Sequence, residues 1–370
     1  MMSQEDARPR LRELDGLRGL AALGVVLSHL TTTFDETHPG RPAPAFRFAE
    51  GGYGVQLFFL ISGFVILMTA RRARRPSDFV IARLSRLYPV YWIALSLTTL
   101  LLLLFAAPSA APRLGVFLAN LTMVQRWLLV ENIDPVYWTL AVEMQFYALI
   151  LLLLVATRAR LNTRLLLGVA LTWIVLSVVV AMIASPHSQG IAANAVATPW
   201  KILLNLTLAE YGPLFMAGCL AYLARLGEVR WAWSVVAAAS AVIVAALLHS
   251  PKAALIVAGI SAVFLLVVAR PRTRILLWRP IQWLGLVSYS LYVFHTVPTA
   301  LVTDSLIPHI GRNAAMAGAL LTAFVTAGVL HRLGEVQGTR LLRTLLIKAQ
   351  RRCIRQVPQT GDNPESAPAG

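Results

Sequence analysis

The sequence predicts an all-α, polytopic integral membrane protein of about ten transmembrane helices with both termini on the cytoplasmic side. Three observations predict it. Of the 370 residues, 57% are apolar and only 14% charged, and the mean hydropathy is +0.67. The apolar residues gather in stretches of about 20, the length that crosses a hydrocarbon core. The basic residues sit in short segments between those stretches, as they do in the cytoplasmic loops of membrane proteins.

A formal charge of +16 would suit a nucleic-acid-binding protein, but its placement excludes that reading. No compact basic domain with interleaved aromatics exists. The two cysteines, Cys219 and Cys353, form neither a metal-ligand spacing nor an evident disulfide. No metal and no bound cofactor is expected, and no residue pattern fixes an oligomeric state.

Taken in order, the first span covers 17–34 within DGLRGLAALGVVLSHL. Arg8, Arg10 and Arg12 ahead of LAALGVVL resemble a signal peptide. No small-x-small cleavage site follows, however, and His29 lies inside the apolar run, so a retained helix is expected. The second and third spans, 51–70 and 84–107, flank RRARR at 71–75 with Arg83 and Arg86. Spans at 136–157 and 164–184 flank Arg158, Arg160 and Arg164. Those at 203–224 and 231–249 flank Arg225 and Arg230. The last three, 253–269, 281–303 and 314–333, are punctuated by RPRTR and Arg279 and followed by a basic tail. All but seven of the 33 Lys and Arg fall on one side, which sets the N-in, C-in expectation.

Two segments on the other side are longer. Residues 108–135 contain LGVFLANLTMVQRWLLV, broken by Asn120, Gln125 and Arg126, and suit a re-entrant or interfacial helix; a full span there would invert everything downstream. Residues 185–202 suit a polar loop. The chain thus divides into a cytoplasmic segment 1–16, a membrane domain 17–335, and a tail 336–370 that is basic and then disordered by composition. No inverted repeat of the transporter kind stands out.

Ionisable groups within spans are costly and mark function by default. Eleven residues on an α-helix advance about 1100°, roughly 20° past three turns, so Arg18 and His29 share a face about 16 Å apart along the axis. Glu143 falls about 10 Å into its span and His295 about 21 Å into its own, with Gln56 at a similar level. Arg83 and Arg86, at i and i+3, mark the inner boundary beside Arg18. A histidine beside a carboxylate suits general-base chemistry, and arginines at the inner mouth suit a phosphate-bearing ligand. Duller explanations exist: His295 bonding a neighbouring helix, or Arg83 and Arg86 snorkelling to headgroups. Glu143 is harder to dismiss, since an unpaired carboxylate there would be costly.

Several blocks resemble the integral-membrane acyltransferase-3 family, O-acyltransferases of O-antigen, nodulation factor and exopolysaccharide. They are LDGLRGLAALGVVLSH (14–29), GYGVQLFFLISGFVI (52–66), IARLSRLYPVYW (81–92) and VYWTLAVEMQFYALI (136–150). FMAGCLAY (215–222), LGLVSYSLYVFH (284–295) and HRLGE (331–335) follow in family order. The resemblance implies transfer of an acyl group, usually acetyl, from a cytoplasmic acyl-CoA donor to a hydroxyl, commonly on an envelope or secreted carbohydrate. It implies an essential histidine at His29 and donor-binding arginines at Arg18, Arg83 and Arg86. Glu143 is the expected partner orienting His29. Gln56, Trp138, Tyr147 and His295 are accessory candidates.

The sequence departs from the family at Gln56, where Asp is common, and at Glu335-Val336-Gln337, where the family has Glu-Lys-Pro. No esterase-like domain follows the spans, so the membrane domain is expected to serve the acceptor alone or with a partner. The implied setting is the bilayer of the cytoplasmic (inner) membrane. Alternatives are acylation of a lipid or of a secondary metabolite such as a macrolide, a multi-pass transporter, and a non-catalytic acyl carrier.

Overall fold

A spanning segment must satisfy its own backbone polar groups, which helices do internally. The computed structural model describes residues 11–105, 111–188, 198–270 and 273–355, and their regular structure is helical throughout. The helices are α1 (Arg12–Ser28), α2 (Gly54–Arg72), α3 (Pro76–Phe105), α4 (Leu114–Asn120), α5 (Tyr137–Ala156) and α6 (Thr163–Ser188). Then come α7 (Pro199–Thr207), α8 (Gly212–Arg225), α9 (Trp231–Leu248) and α10 (Pro251–Ala269). The last are α11 (Arg279–Val293), α12 (Thr296–Ile310), α13 (Arg312–Leu330) and α14 (Thr339–Arg355).

Among the described residues, nine segments are long and apolar enough to cross a membrane, and a bent pair makes a tenth. Local signals place the starts. Before α10, the Ser250 hydroxyl accepts the Ala253 N–H at 3.1 Å, with Pro251 at the first helical position. Before α7, Thr198 and Pro199 repeat the device.

The ninth span departs from the straight helix expected over 281–303. It breaks between Val293 and Thr296, where α11 and α12 meet at 84°. Pro298 has no N–H to give the Phe294 carbonyl, and Phe294 itself takes φ −138°, ψ 50°. His295 therefore sits on the corner. The segment after the third span does not cross: α4 has seven residues, about 10 Å of helix. Asn120 ties down the chain after it, donating to the Glu131 carbonyl and accepting the Ile133 N–H. At the other end, the final helix runs on past 335 as far as Arg355, so the basic part of the expected tail is helical. The disorder expected beyond it, and half of the 185–202 loop, lie outside the described residues; 185–188 and 199–202 are helical rather than loop.

Small residues let the helices meet closely, as is usual where lipid gives no hydrophobic drive between them. A Cβ at Gly63 would collide with the Phe215 carbonyl and one at Gly218 with that of Leu60, so α2 and α8 touch backbone to backbone. Gly19 and Gly285 do the same for α1 and α11. The outward faces carry exposed leucines such as Leu152, Leu255 and Leu321. Loops expected to share the basic side do converge: Arg71 donates to the Leu161 carbonyl at 3.1 Å and to Glu228 at 2.8 Å, and Arg225 donates to the Val268 carbonyl at 2.7 Å.

Two turns widen from α to π geometry, His29–Thr33 after α1 and His331–Gly338 after α13. Such bulges are rare and frequent at functional sites. Each begins with a histidine.

Candidate active site

Polar groups at the core of the helix assembly form three tiers. On the basic side lies a vestibule with an internal volume of about 1100 Å³, into which Arg18, Arg71, Arg72, Arg74, Arg86 and Arg225 project. Deeper lies a smaller chamber lined by Arg18, Arg83, Arg86, Glu143 and Tyr147, with apolar walls from Val55, Phe58, Phe59 and Leu140. Arg18, Arg86 and Ser288 line both spaces, so the two arginines stand at the neck between them.

The paired arginines of α3 are not equivalent. Arg83 is only 4% exposed and lines the chamber with its guanidinium engaged by protein groups. It donates to the Val65 carbonyl and the Thr69 hydroxyl of α2, with its guanidinium 5.5 Å from the centre of the Tyr147 ring. Arg86, one turn on, is half-buried and makes no side-chain hydrogen bond among the described residues. It remains open to a ligand, as does Arg18 opposite.

Glu143 belongs to this middle tier. Its Oε1 accepts the Ser62 hydroxyl at 3.0 Å and the Tyr147 hydroxyl at 2.8 Å. Its charge offsets those of Arg18 and Arg83. The orienting contact to His29 expected of Glu143 is made instead by His295; Glu143 faces the chamber that Arg18 and Arg83 also line, and His29 does not.

His29 Nδ1 lies 2.7 Å from His295 Nε2. The rings are within 14° of parallel with centroids 4.9 Å apart, the geometry of two imidazoles joined edge to edge. His295 is fully buried, and its Nδ1 lies 2.9 Å from the Tyr292 carbonyl oxygen. Only an N–H can bond a carbonyl, so His295 Nδ1 carries hydrogen. With both rings neutral, His295 Nε2 then accepts from His29 Nδ1–H, leaving the lone pair on His29 Nε2 unengaged. His29 is half-buried, and its Nε2 makes no hydrogen bond among the described residues.

Neither histidine lines the chamber. Phe58 and Tyr292, which line it, meet ring edge to ring face with centroids 5.3 Å apart, and Tyr292 in turn packs against His295 with centroids 6.1 Å apart. The Tyr292 hydroxyl is held by Thr139 at 2.7 Å. Trp138 packs against Tyr211 and Phe59, and Gln56 buries an Oε1 with no hydrogen-bond partner; neither lines the two cavities. Of four groups expected at one depth, the fold thus joins two, His29 and His295.

Sequence reasoning missed Ser62, Ser290 and Arg312. Glu335, where the family pattern lapses, accepts the Ser290 hydroxyl at 2.6 Å and lies 3.4 Å from His331 Nδ1 across the second π turn. No linear spacing signals a π bulge or a partner 45 residues away. Among the described residues, no three His, Cys, Asp or Glu converge as metal ligands.

Comparison with known proteins decides the family. Residues 11–332 match the acyltransferase domain that defines acyltransferase-3 proteins. The chain belongs to that family. Relatives within it include the peptidoglycan O-acetyltransferase OatA of Listeria monocytogenes, 23% identical over 81% of this chain and 51% of that protein. The exopolysaccharide production protein ExoZ of Rhizobium meliloti is 37% identical over 28% of this chain and 34% of its own length. The acyltransferase MdmB of Streptomyces mycarofaciens is 29% identical over 37% and 38%. The chain spans about half the length of these relatives, or less. No solved structure matches the chain.

Proposed function

We propose that this acyltransferase-3 protein is an O-acyltransferase of the cytoplasmic membrane. It moves an acyl group, acetyl in the first instance, from an acyl-CoA-type thioester to a hydroxyl of an envelope or secreted carbohydrate. The observation that carries the proposal is the His29–His295 pair, in which the lone pair of His29 Nε2 is left unengaged.

The acceptor O–H gives its proton to His29 Nε2 as its oxygen attacks the thioester carbonyl. The new C–O ester bond forms as the C–S bond breaks, and the thiolate leaves toward the basic side, taking back one proton. His295 holds the tautomer throughout. Arg18 and Arg86 at the neck bind donor phosphate, supported by the vestibule arginines. Arg83 fixes the chamber wall, and Glu143 with Tyr147 keeps the arginine cluster in place. For the thioester to meet His29, the Phe58–Tyr292 contact must part.

The relatives named for peptidoglycan and exopolysaccharide favour a glycan acceptor, and MdmB is the precedent for a smaller one. The test is a purified preparation in nanodiscs given acyl-labelled acetyl-CoA and envelope glycan. Label appearing as glycan ester supports the proposal. Accumulation of a solute inside liposomes without ester formation would favour a transporter.

A further inference from the structure

The first π turn is contacted from outside its own helix, and Arg312 makes several of those contacts. It lies at the start of α13, directly after Gly311, whose φ of +77° turns the chain back from α12. Arg312 is only 4% exposed, yet it lines neither cavity. Its Nη2 donates to the Leu30 carbonyl at 2.6 Å and pairs with Asp35 Oδ1 at 3.1 Å. Its guanidinium lies over the Phe34 ring, 4.1 Å from the centroid.

All three partners lie within six residues after His29 in the chain. Leu30 follows it inside the bulge, and Phe34 and Asp35 follow the bulge. Asp35 is held a second time by Arg47, at 3.1 Å from Oδ2. From the other side, the buried Thr31 hydroxyl accepts the Phe48 N–H at 3.0 Å and donates to the Leu27 carbonyl at 2.7 Å.

A π bulge carries one residue more than the α-turn it replaces, and it persists only where something stabilises the carbonyls it displaces. Without a clamp, closing the bulge would turn the flanking residues relative to each other by about 100°. His29 is the first residue of the bulge. Its ring would then lose its in-line approach to His295, which sits on the separate α11–α12 corner.

We propose that Arg312 is a positioning residue for His29: it holds the π turn open so that His29 Nδ1 meets His295 and Nε2 faces the acceptor. This rests on the reading of His29 as the base. Lysine at 312 could keep the Asp35 pair but not reach Leu30 and cover Phe34 together, whereas methionine would fill the space without polar contacts.

The test compares wild type, Arg312→Lys, Arg312→Met and Asp35→Asn in nanodiscs by steady-state acyl transfer, with thermal midpoints and 15N spectra of histidine-labelled protein. For Arg312→Met, kcat is expected to fall about 10–100-fold, the usual penalty for a small misplacement of a reacting group, with donor KM within about twofold. Arg312→Lys recovers part of kcat, and Asp35→Asn shows a smaller loss of the same kind. The 15N spectrum should show His29 protonated at Nδ1 in wild type and a tautomer mixture in Arg312→Met. If Arg312→Met does not fold, the other two variants carry the same comparison. Unchanged kcat and unchanged tautomers overturn the proposal, as does a fall in kcat matched by KM and midpoint, which marks a purely structural residue. Altered tautomers with no acyl transfer even in wild type would keep the positioning role and reject the acyltransferase reading.

Discussion

His29 and His295 are 266 residues apart in sequence and joined by a 2.7 Å N···N contact. A backbone carbonyl on the far side of His295 fixes which nitrogen of each ring holds hydrogen. In the proposed mechanism the carboxylate that usually orients a catalytic histidine is replaced by a second imidazole. A neutral acceptor orients the ring but adds no negative charge to stabilise an imidazolium, which suits a base that must release its proton quickly.

His295→Phe removes the acceptor for His29 Nδ1–H and should lower kcat by at least about 100-fold, within the range a positioned base contributes. His295→Gln keeps a carbonyl oxygen in reach and should lose less. Initial rates at saturating donor test this; equal losses in the two variants would show that hydrogen-bond acceptance at 295 is immaterial.

Arg83 and Arg86 should separate cleanly. Arg83→Met takes the guanidinium donor from the Thr69 hydroxyl, while the Val65 carbonyl keeps its bond from Thr69 Oγ1, and should destabilise the fold by about 1–3 kcal/mol. Arg86→Met, with no hydrogen bond to lose, should keep its thermal midpoint while donor KM rises about tenfold. The reverse pattern, in thermal melts and donor titrations, would contradict the assignment of the neck.

Glu143→Gln keeps an acceptor for Ser62 and Tyr147 but removes the charge that offsets the arginines. Donor KM should fall a few-fold, because the remaining cations attract phosphate more strongly, and the thermal midpoint should drop. A loss confined to kcat would instead make Glu143 the partner of His29.

Asp134, outside the spanning segments, is fully buried at the start of α5 and accepts the Val136 N–H. Burial pushes its carboxyl up to about 7 from the usual 3.8. The folded state therefore binds the extra proton between those values, and this stability is present at low pH and lost as pH rises through about 7. Thermal midpoints of detergent-solubilised protein should decline across that window. Asp134→Asn should flatten the decline; an unchanged slope would show that another group titrates.

Much of this was legible in the sequence, because hydrophobic length and basic loops are properties of the chain alone. Among the described residues, nine candidate spans and a bent tenth match the ten expected, and the α-helix from Arg12 to Ser28 keeps the register between Arg18 and His29. Depth along an axis, however, says nothing of azimuth. It placed Glu143 beside His29, whereas packing turns Glu143 toward Arg83 and Tyr147. The i, i+3 spacing made Arg83 and Arg86 look alike, and only burial separates them. The π turns and the Arg312 contacts depend on segments hundreds of residues apart and leave no periodic trace.

The most direct test of the central claim is transfer of label from acetyl-CoA to a glycan hydroxyl by purified wild-type and His29→Ala protein. The prediction is ester formation by wild type and a loss of at least about 100-fold in His29→Ala, with donor binding and thermal midpoint retained. Transfer by His29→Ala at the wild-type rate would contradict the account.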